Sequence, residues 1–108
     1  MNNLCGLTPV EIRRIIQVLS KHPHIERGII FGSRAKGNYR NASDVDLVIV
    51  GDEIEHSTIV AVSSELNNTG TLPYHFDILQ HRAIKNSDLL EHIARVGVCI
   101  YTKGNNVN

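Results

Sequence analysis

Two apolar runs, Ile29-Ile30-Phe31 and Leu47-Val48-Ile49-Val50, each adjoin a short motif. The first runs into Gly32-Ser33, and the second emerges from Asp44-Val45-Asp46, with ten residues between Ser33 and Asp44. This stretch predicts a strand, a phosphate-binding turn, a short helix, and a second strand that opens with two carboxylates on one face. Residues Val45 to Val50 are nearly continuous in apolar content, which marks a central strand buried on both faces.

The rest of the chain supplies layers for that unit. Thr8-Pro9-Val10-Glu11 forms a capping box with proline at the first helical position, and Leu7 can staple to Ile12. Ile12, Ile15, Ile16 and Leu19 then recur at helical spacing, with Arg13, Arg14 and Gln17 on a solvated face, until Pro23 ends the helix. Ile25 to Phe31 predicts the first strand, 33–37 a short helix and 38–43 a polar loop. Ser57 can cap a third helix reaching Asn68, with Ile59, Val62 and Leu66 inward and Asn67-Asn68-Thr69-Gly70 as its exit. Pro73 precedes a third strand, Tyr74 to Leu79. Ser87 can cap a fourth helix, Asp88 to Val96, which carries Leu89, Leu90, Ile93 and Val96 and stops at Gly97. Val98 to Thr102 is the last strand. The order α-β-α-β-α-β-α-β makes an α/β fold with helices on a four-stranded sheet. The short link between the first two strands leaves their relative direction open, and a mixed sheet is expected.

At 108 residues the chain is read as one domain, 1–103, with a polar tail at 104–108 expected to be disordered. Such a domain buries about 60–70% of its unfolded surface, enough for one modest core. Eleven basic and eleven acidic side chains give zero net charge, which argues against a domain built on nonspecific attraction to nucleic-acid backbones. Direct nucleic-acid binding is therefore not expected. Cys5 and Cys99 make no disulfide framework, and Cys99 reads as a small buried hydrophobe within a strand. No long apolar run or export signal is evident, so the expected location is the cytoplasm, away from membranes.

Alternation decides which side chains cooperate. Asp44 and Asp46 share a face, about 6.6 Å apart along the strand, while Val45, Leu47 and Ile49 point to the other face. In the third strand Phe76 and Ile78 share one face, and His75, Asp77 and Leu79 the other. If that strand lies beside the second, Asp77 sits about 5 Å across the ladder from the first two acids. Like charges about 4 Å apart repel by about 4 kcal/mol at an effective dielectric near 20. Either some of these acids are protonated, or divalent ions sit among them, and oxygen-only ligands favour magnesium or manganese. Two such ions can clamp the attacking and leaving oxygens of a phosphoryl-type displacement. The plainer alternative is that Asp44 caps a loop and Asp77 is a solvated strand residue.

Gly32 permits close backbone approach to a ligand, and Ser33 opens a helix whose free N–H groups suit an anion. Arg34, Lys36 and Arg40 put three cations near this turn, either as a solvated basic segment or as partners for a polyphosphate. His22, His24, His56, His81 and His92 make no metal set and read as solvated histidines; His75 differs by facing the same way as Asp77.

At these residues the chain resembles the nucleotidyltransferases of the DNA polymerase β superfamily, whose signature is Gly-Ser, a spacer of about ten residues, Asp-x-Asp, and a third acid on a later strand. Gly32, Ser33, Asp44, Asp46 and Asp77 match each position, and Arg34 and the Lys36-Gly37 pair also fit. Size and layout narrow the likeness to the minimal nucleotidyltransferases, from the first helix to Gly97-Val98-Cys99-Ile100-Tyr101. The resemblance implies the polymerase β-like fold and an ATP-using transferase that moves AMP onto a hydroxyl and releases pyrophosphate. It implies that Gly32, Ser33, Arg34 and Lys36 hold the nucleotide, that Asp44, Asp46 and Asp77 bind two Mg2+ (or Mn2+) ions, and that Asp77 helps deprotonate the attacking hydroxyl. It also implies a hetero-oligomeric partner, a helical HEPN-family RNase toxin, with this chain as a type VII-like antitoxin that adenylylates a toxin tyrosine. A non-catalytic antitoxin that neutralises its partner by contact is the alternative. Transfer to an antibiotic hydroxyl is a weaker one, because no helical acceptor-binding domain is present in the sequence.

Overall fold

The computed structural model describes residues 4–40, 43–68, 70 and 72–104. Of the expected tail at 104–108, residues 105–108 lie outside the described residues, as does Thr69 in the exit of the third helix. The elements are α1 (Pro9–Ser20), β1 (Arg27–Phe31), α2 (Gly32–Lys36), β2 (Val45–Val50), α3 (His56–Asn68), β3 (Phe76–Gln80), a 3-10 turn (His81–Ala83), α4 (Ser87–Val96) and β4 (Val98–Thr102). The sheet is mixed, in the order β3-β2-β1-β4, with β2 and β3 parallel and the other two pairings antiparallel. A parallel neighbour needs a crossover, and α3 provides it. No helix among the described residues is long and apolar enough to cross a membrane.

The chain order and alternation build two apolar layers. Val45, Leu47 and Ile49 of β2 join Ile30, Phe76 and Tyr101 beneath Ile15, Val18 and Leu19 of α1 and Val62 and Leu66 of α3. On the other face Phe31, Val48 and Ile93 form a smaller cluster with Ile29, Ile84 and Leu89, where α4 covers the sheet. β2 is thus buried on both faces, as its composition requires. The capping box of α1 is formed: the Glu11 amide donates to Thr8 Oγ1 at 3.1 Å and the Thr8 amide to Glu11 Oε1 at 2.9 Å.

Several local expectations are corrected. β1 starts at Arg27, because Ile25 closes a turn by donating its amide to the His22 carbonyl at 3.0 Å. β3 starts at Phe76, where the Asn67 side-chain amide accepts from the Phe76 N–H at 2.8 Å and donates to its carbonyl at 3.0 Å. Asn67 thereby answers the strand edge as a neighbouring strand would. α3 begins at His56, so Ser57 lies inside it, and the Glu55 carbonyl takes the amides of Thr58 and Ile59. The cap of α4 is Asn86, whose side chain accepts from the amides of Asp88 and Leu89. Gly97 ends α4 in an extended conformation rather than a left-handed one. It is small because a Cβ there would run into the Ile93 carbonyl and lie 2.7 Å from Ile29 Cγ2.

Cys99 is exposed, not buried. A β-bulge between β1 and β4 pairs Gly28 with Tyr101 but Ile29 with Cys99, leaving Ile100 as the extra residue. Plain alternation would put Cys99 and Tyr101 on one face; the bulge sends Tyr101 into the main core and Cys99 to the opposite side.

Candidate active site

Register brings the acids together. Asp46 lies opposite Phe31 on one side and opposite Asp77 on the other, so these three residues form one row across three strands. Asp44 precedes β2 by one residue and is exposed. Asp46 is half-buried, and its carboxyl is pushed above the usual aspartate range, first by burial and then by the charges of Asp77 and Asp44, with His92 opposing the shift. The three carboxylates therefore share one electrostatic environment. Among the described residues, no three His, Cys, Asp or Glu side chains form a closed metal-binding group as they stand. Their all-oxygen chemistry and mutual repulsion nonetheless fit a hard divalent cation, whose charge would reverse the perturbation at Asp46.

Gly32 stands beside this row for two reasons. Its φ of +75° is left-handed, and a Cβ on it would run into Asp46 Oδ2 and lie 3.2 Å from Asp46 Cγ. Only glycine lets the end of β1 pass this close to the carboxylate. The Gly32 N–H donates to His92 Nε2 at 3.1 Å. Ser33 is half-buried in the first turn of α2, and its carbonyl accepts from the Gly37 N–H at 3.0 Å. Gly32, Ser33, Asp44, Asp46 and Asp77 are thus brought to one end of the sheet by β1, α2, β2 and β3.

Arg34 departs from the expectation of a phosphate-facing cation. It is buried, at 2% exposure. Its Nε and Nη2 donate to the Ser43 carbonyl at 3.1 and 3.0 Å, and its Nη1 donates to the Cys5 carbonyl at 2.9 Å. The guanidinium also lies over the rings of Tyr74, 4.5 Å from the centroid, and Tyr39, at 5.0 Å. A planar fork with several fixed donors suits this setting. Arg34 therefore ties the residue just before Asp44 to the N-terminal segment. Lys36 and Arg40 remain exposed. The Arg40 amide donates to Ser43 Oγ at 2.7 Å, so Arg40 is bonded to the residue just before Asp44.

His75 turns toward Asp77, with Nε2 3.1 Å from Asp77 Oδ1 and both side chains more than half exposed. His22 and His24 face Glu65 and Glu53 instead. His92 is the residue that sequence reasoning missed: it is half-buried, edge-on to Phe31, and bonded to Gly32. Its signal was present in the helical spacing, since 92 falls between Leu89 and Val96 on the same inward stripe as Ile93.

The family described as "Polymerase beta, Nucleotidyltransferase" matches residues 13–106. No curated protein matches the chain significantly by sequence. Among solved structures, a toxin–antitoxin with AMP-PNP is similar at 19% identity and a TM-score of 0.70, over 86% of this chain and 74% of that one. The toxin–antitoxin MntA-HepT is similar at 16% identity and a TM-score of 0.66, over 88% and 73% of the two chains. A protein from Shewanella oneidensis is similar at 12% identity and a TM-score of 0.61, over 94% and 73%. The family match spans β1, the Gly32-Ser33 turn, the paired acids at the start of β2 and the strand bearing Asp77, and by it the chain belongs to the polymerase beta nucleotidyltransferase family.

Proposed function

We propose that this nucleotidyltransferase moves AMP from ATP onto a protein hydroxyl, a tyrosine of a helical HEPN-family toxin, and so acts in the cytoplasm as the antitoxin of a toxin–antitoxin pair. The observation that carries the reading is the in-register placement of Asp77 opposite Asp46, with Gly32 packed on the same carboxylate. The likeness in fold to a toxin–antitoxin with AMP-PNP supports both the nucleotide and the kind of partner.

Asp44, Asp46 and Asp77 would hold two magnesium ions, which supply charge neutralisation to the triphosphate and the transferring phosphoryl group. Gly32 and Ser33 place the triphosphate, and exposed Lys36 adds a cation near it. Arg34 contributes by fixing Ser43, and with it the backbone that presents Asp44. Asp77 accepts the proton of the incoming hydroxyl, and His75 holds that carboxylate from outside. The hydroxyl oxygen bonds to the α-phosphorus as the bond to the β-phosphate oxygen breaks. The products are the adenylylated side chain, pyrophosphate and one proton. The small sheet has no second lobe among its described elements to cover an acceptor, which suits an acceptor delivered by another folded protein.

The test co-purifies the chain with the product of the neighbouring reading frame and supplies α-labelled ATP with magnesium. Label on the partner, absent with Asp44→Ala or Asp46→Ala, is expected. A tight complex that neutralises the partner without label, unimpaired by those substitutions, would replace transfer by sequestration.

A further inference from the structure

The Gly32 N–H is the first backbone donor of the Gly-Ser turn, and it is held by a side chain sixty positions away, His92 Nε2, at 3.1 Å. The ring nitrogen Nε2 accepts this N–H with its lone pair. The ring is held in turn by α4 and by its edge-on contact with Phe31, with centroids 6.3 Å apart and an interplanar angle of 79°. Phe31 is the residue before Gly32 and the ladder partner of Asp46. His92 therefore grips both residues at the point where β1 leaves the sheet. The backbone it grips is the segment that passes against the Asp46 carboxylate in a left-handed conformation.

We infer that His92 is a positioning residue of the nucleotide site: by accepting the Gly32 N–H it fixes the Gly32-Ser33 turn against Asp46, and loss of that acceptor weakens nucleotide binding. This rests on the reading of Gly32, Ser33 and the acids as the site for Mg·ATP. A five-residue helix such as α2 is too short to hold its own first turn rigidly, because a nucleated helical turn is costly without outside support. The support comes from α4, which packs against both α2 and β1. His92 connects a helix with no other role in the proposed chemistry to the turn that binds phosphate. The residue acts through Gly32 and needs no contact with the nucleotide itself.

The experiment compares the wild-type chain, His92→Ala and His92→Gln, the last keeping a side-chain acceptor at similar reach. In nucleotide-free protein, the Gly32 amide is followed by 15N-edited NMR and hydrogen exchange. Binding of Mg·AMP-PNP is then measured by calorimetry. The expected result is a displaced, faster-exchanging Gly32 amide and about tenfold weaker binding in His92→Ala, with His92→Gln restored to within about threefold of wild type. In turnover with a protein acceptor the loss should fall on KM for ATP rather than on kcat. Wild-type affinity in His92→Ala overturns the positioning role. So does a Gln variant as weak as the Ala variant, because it would place the effect in ring packing and not in the acceptor. If the wild-type chain itself binds no Mg·AMP-PNP, the functional reading and this inference fail together; undiminished binding in His92→Ala sinks only the second.

Discussion

Replacing Arg34 tests whether its guanidinium is a clamp or a phosphate ligand. Three donors reach the Ser43 and Cys5 carbonyls at 2.9 to 3.1 Å, and the group is 2% exposed between Tyr39 and Tyr74. A hydrogen bond to a charged partner contributes about 1.5–3 kcal/mol, and a desolvated cation–π contact up to about 2 kcal/mol. These contributions are not additive, and two of the bonds share one acceptor, so Arg34→Ala should lose about 3–5 kcal/mol. That is a large share of the roughly 5–15 kcal/mol that stabilises a domain of this kind. At about 4–8 °C per kcal/mol for about 100 residues, Tm should fall by at least about 12 °C. Arg34→Lys should lie between the two, because an ammonium cannot serve both carbonyls in one plane. The assay is urea and thermal unfolding of nucleotide-free protein by circular dichroism, paired with calorimetric binding of Mg·AMP-PNP. A variant with wild-type stability that no longer binds nucleotide would refute the clamp and restore Arg34 to the phosphate site.

Asp46 has a native pKa above its ordinary value of 3.8, so the native state loses stability as pH climbs from that value through the raised one. Asp46→Asn removes this cost. The variant without metal should be more stable than wild type at neutral pH and show a flatter dependence of Tm on pH. A variant less stable than wild type at pH 7 would contradict the electrostatic account. Magnesium should raise the Tm of the wild-type chain but not of Asp46→Asn, as read by thermal shift with and without a chelator. Gly32→Ala combines a left-handed backbone with a collision at Asp46 and should lose about 2–4 kcal/mol in denaturant titration. Asn86→Ala should lose about 1 kcal/mol, while Ser87→Ala should stay within about 0.5 kcal/mol, and the reverse order would return the cap of α4 to Ser87.

Most of the fold was legible because its signals are local. The capping box at Thr8, the strand period of Val45 to Val50 and the apolar stripe of α4 each depend on residues within a few positions of one another. The facing of Asp44, Asp46 and Asp77 followed from alternation alone, once the third strand was placed beside the second. What stayed hidden depends on packing between distant segments. The composition of β4 could not show that a bulge would turn Cys99 outward. The basic character of 34–40 could not show that Arg34 would be drawn inward by two carbonyls and two tyrosines. His92 carried a weak local signal, but its partner Gly32 lies in another element. The cap of α4 falls one residue before the expected one because adjacent polar side chains, Asn86 and Ser87, compete for it.

The strand order has a consequence in time. β1, at the centre of the sheet, pairs with β4, the last of the described strands, and Asp77 reaches Asp46 through a parallel pairing closed by α3. Pairings over long separations form late, since the loop must be closed before any contact rewards it. During synthesis from the N-terminus, the turn and the first two acids exist before the third acid has been made, and the sheet lacks an edge strand until β4 has emerged. His92, which accepts the Gly32 N–H, is also made late. A half-made chain therefore carries the turn and the first two acids without the frame that aligns them with Asp77, and the row of acids is completed only with the fold.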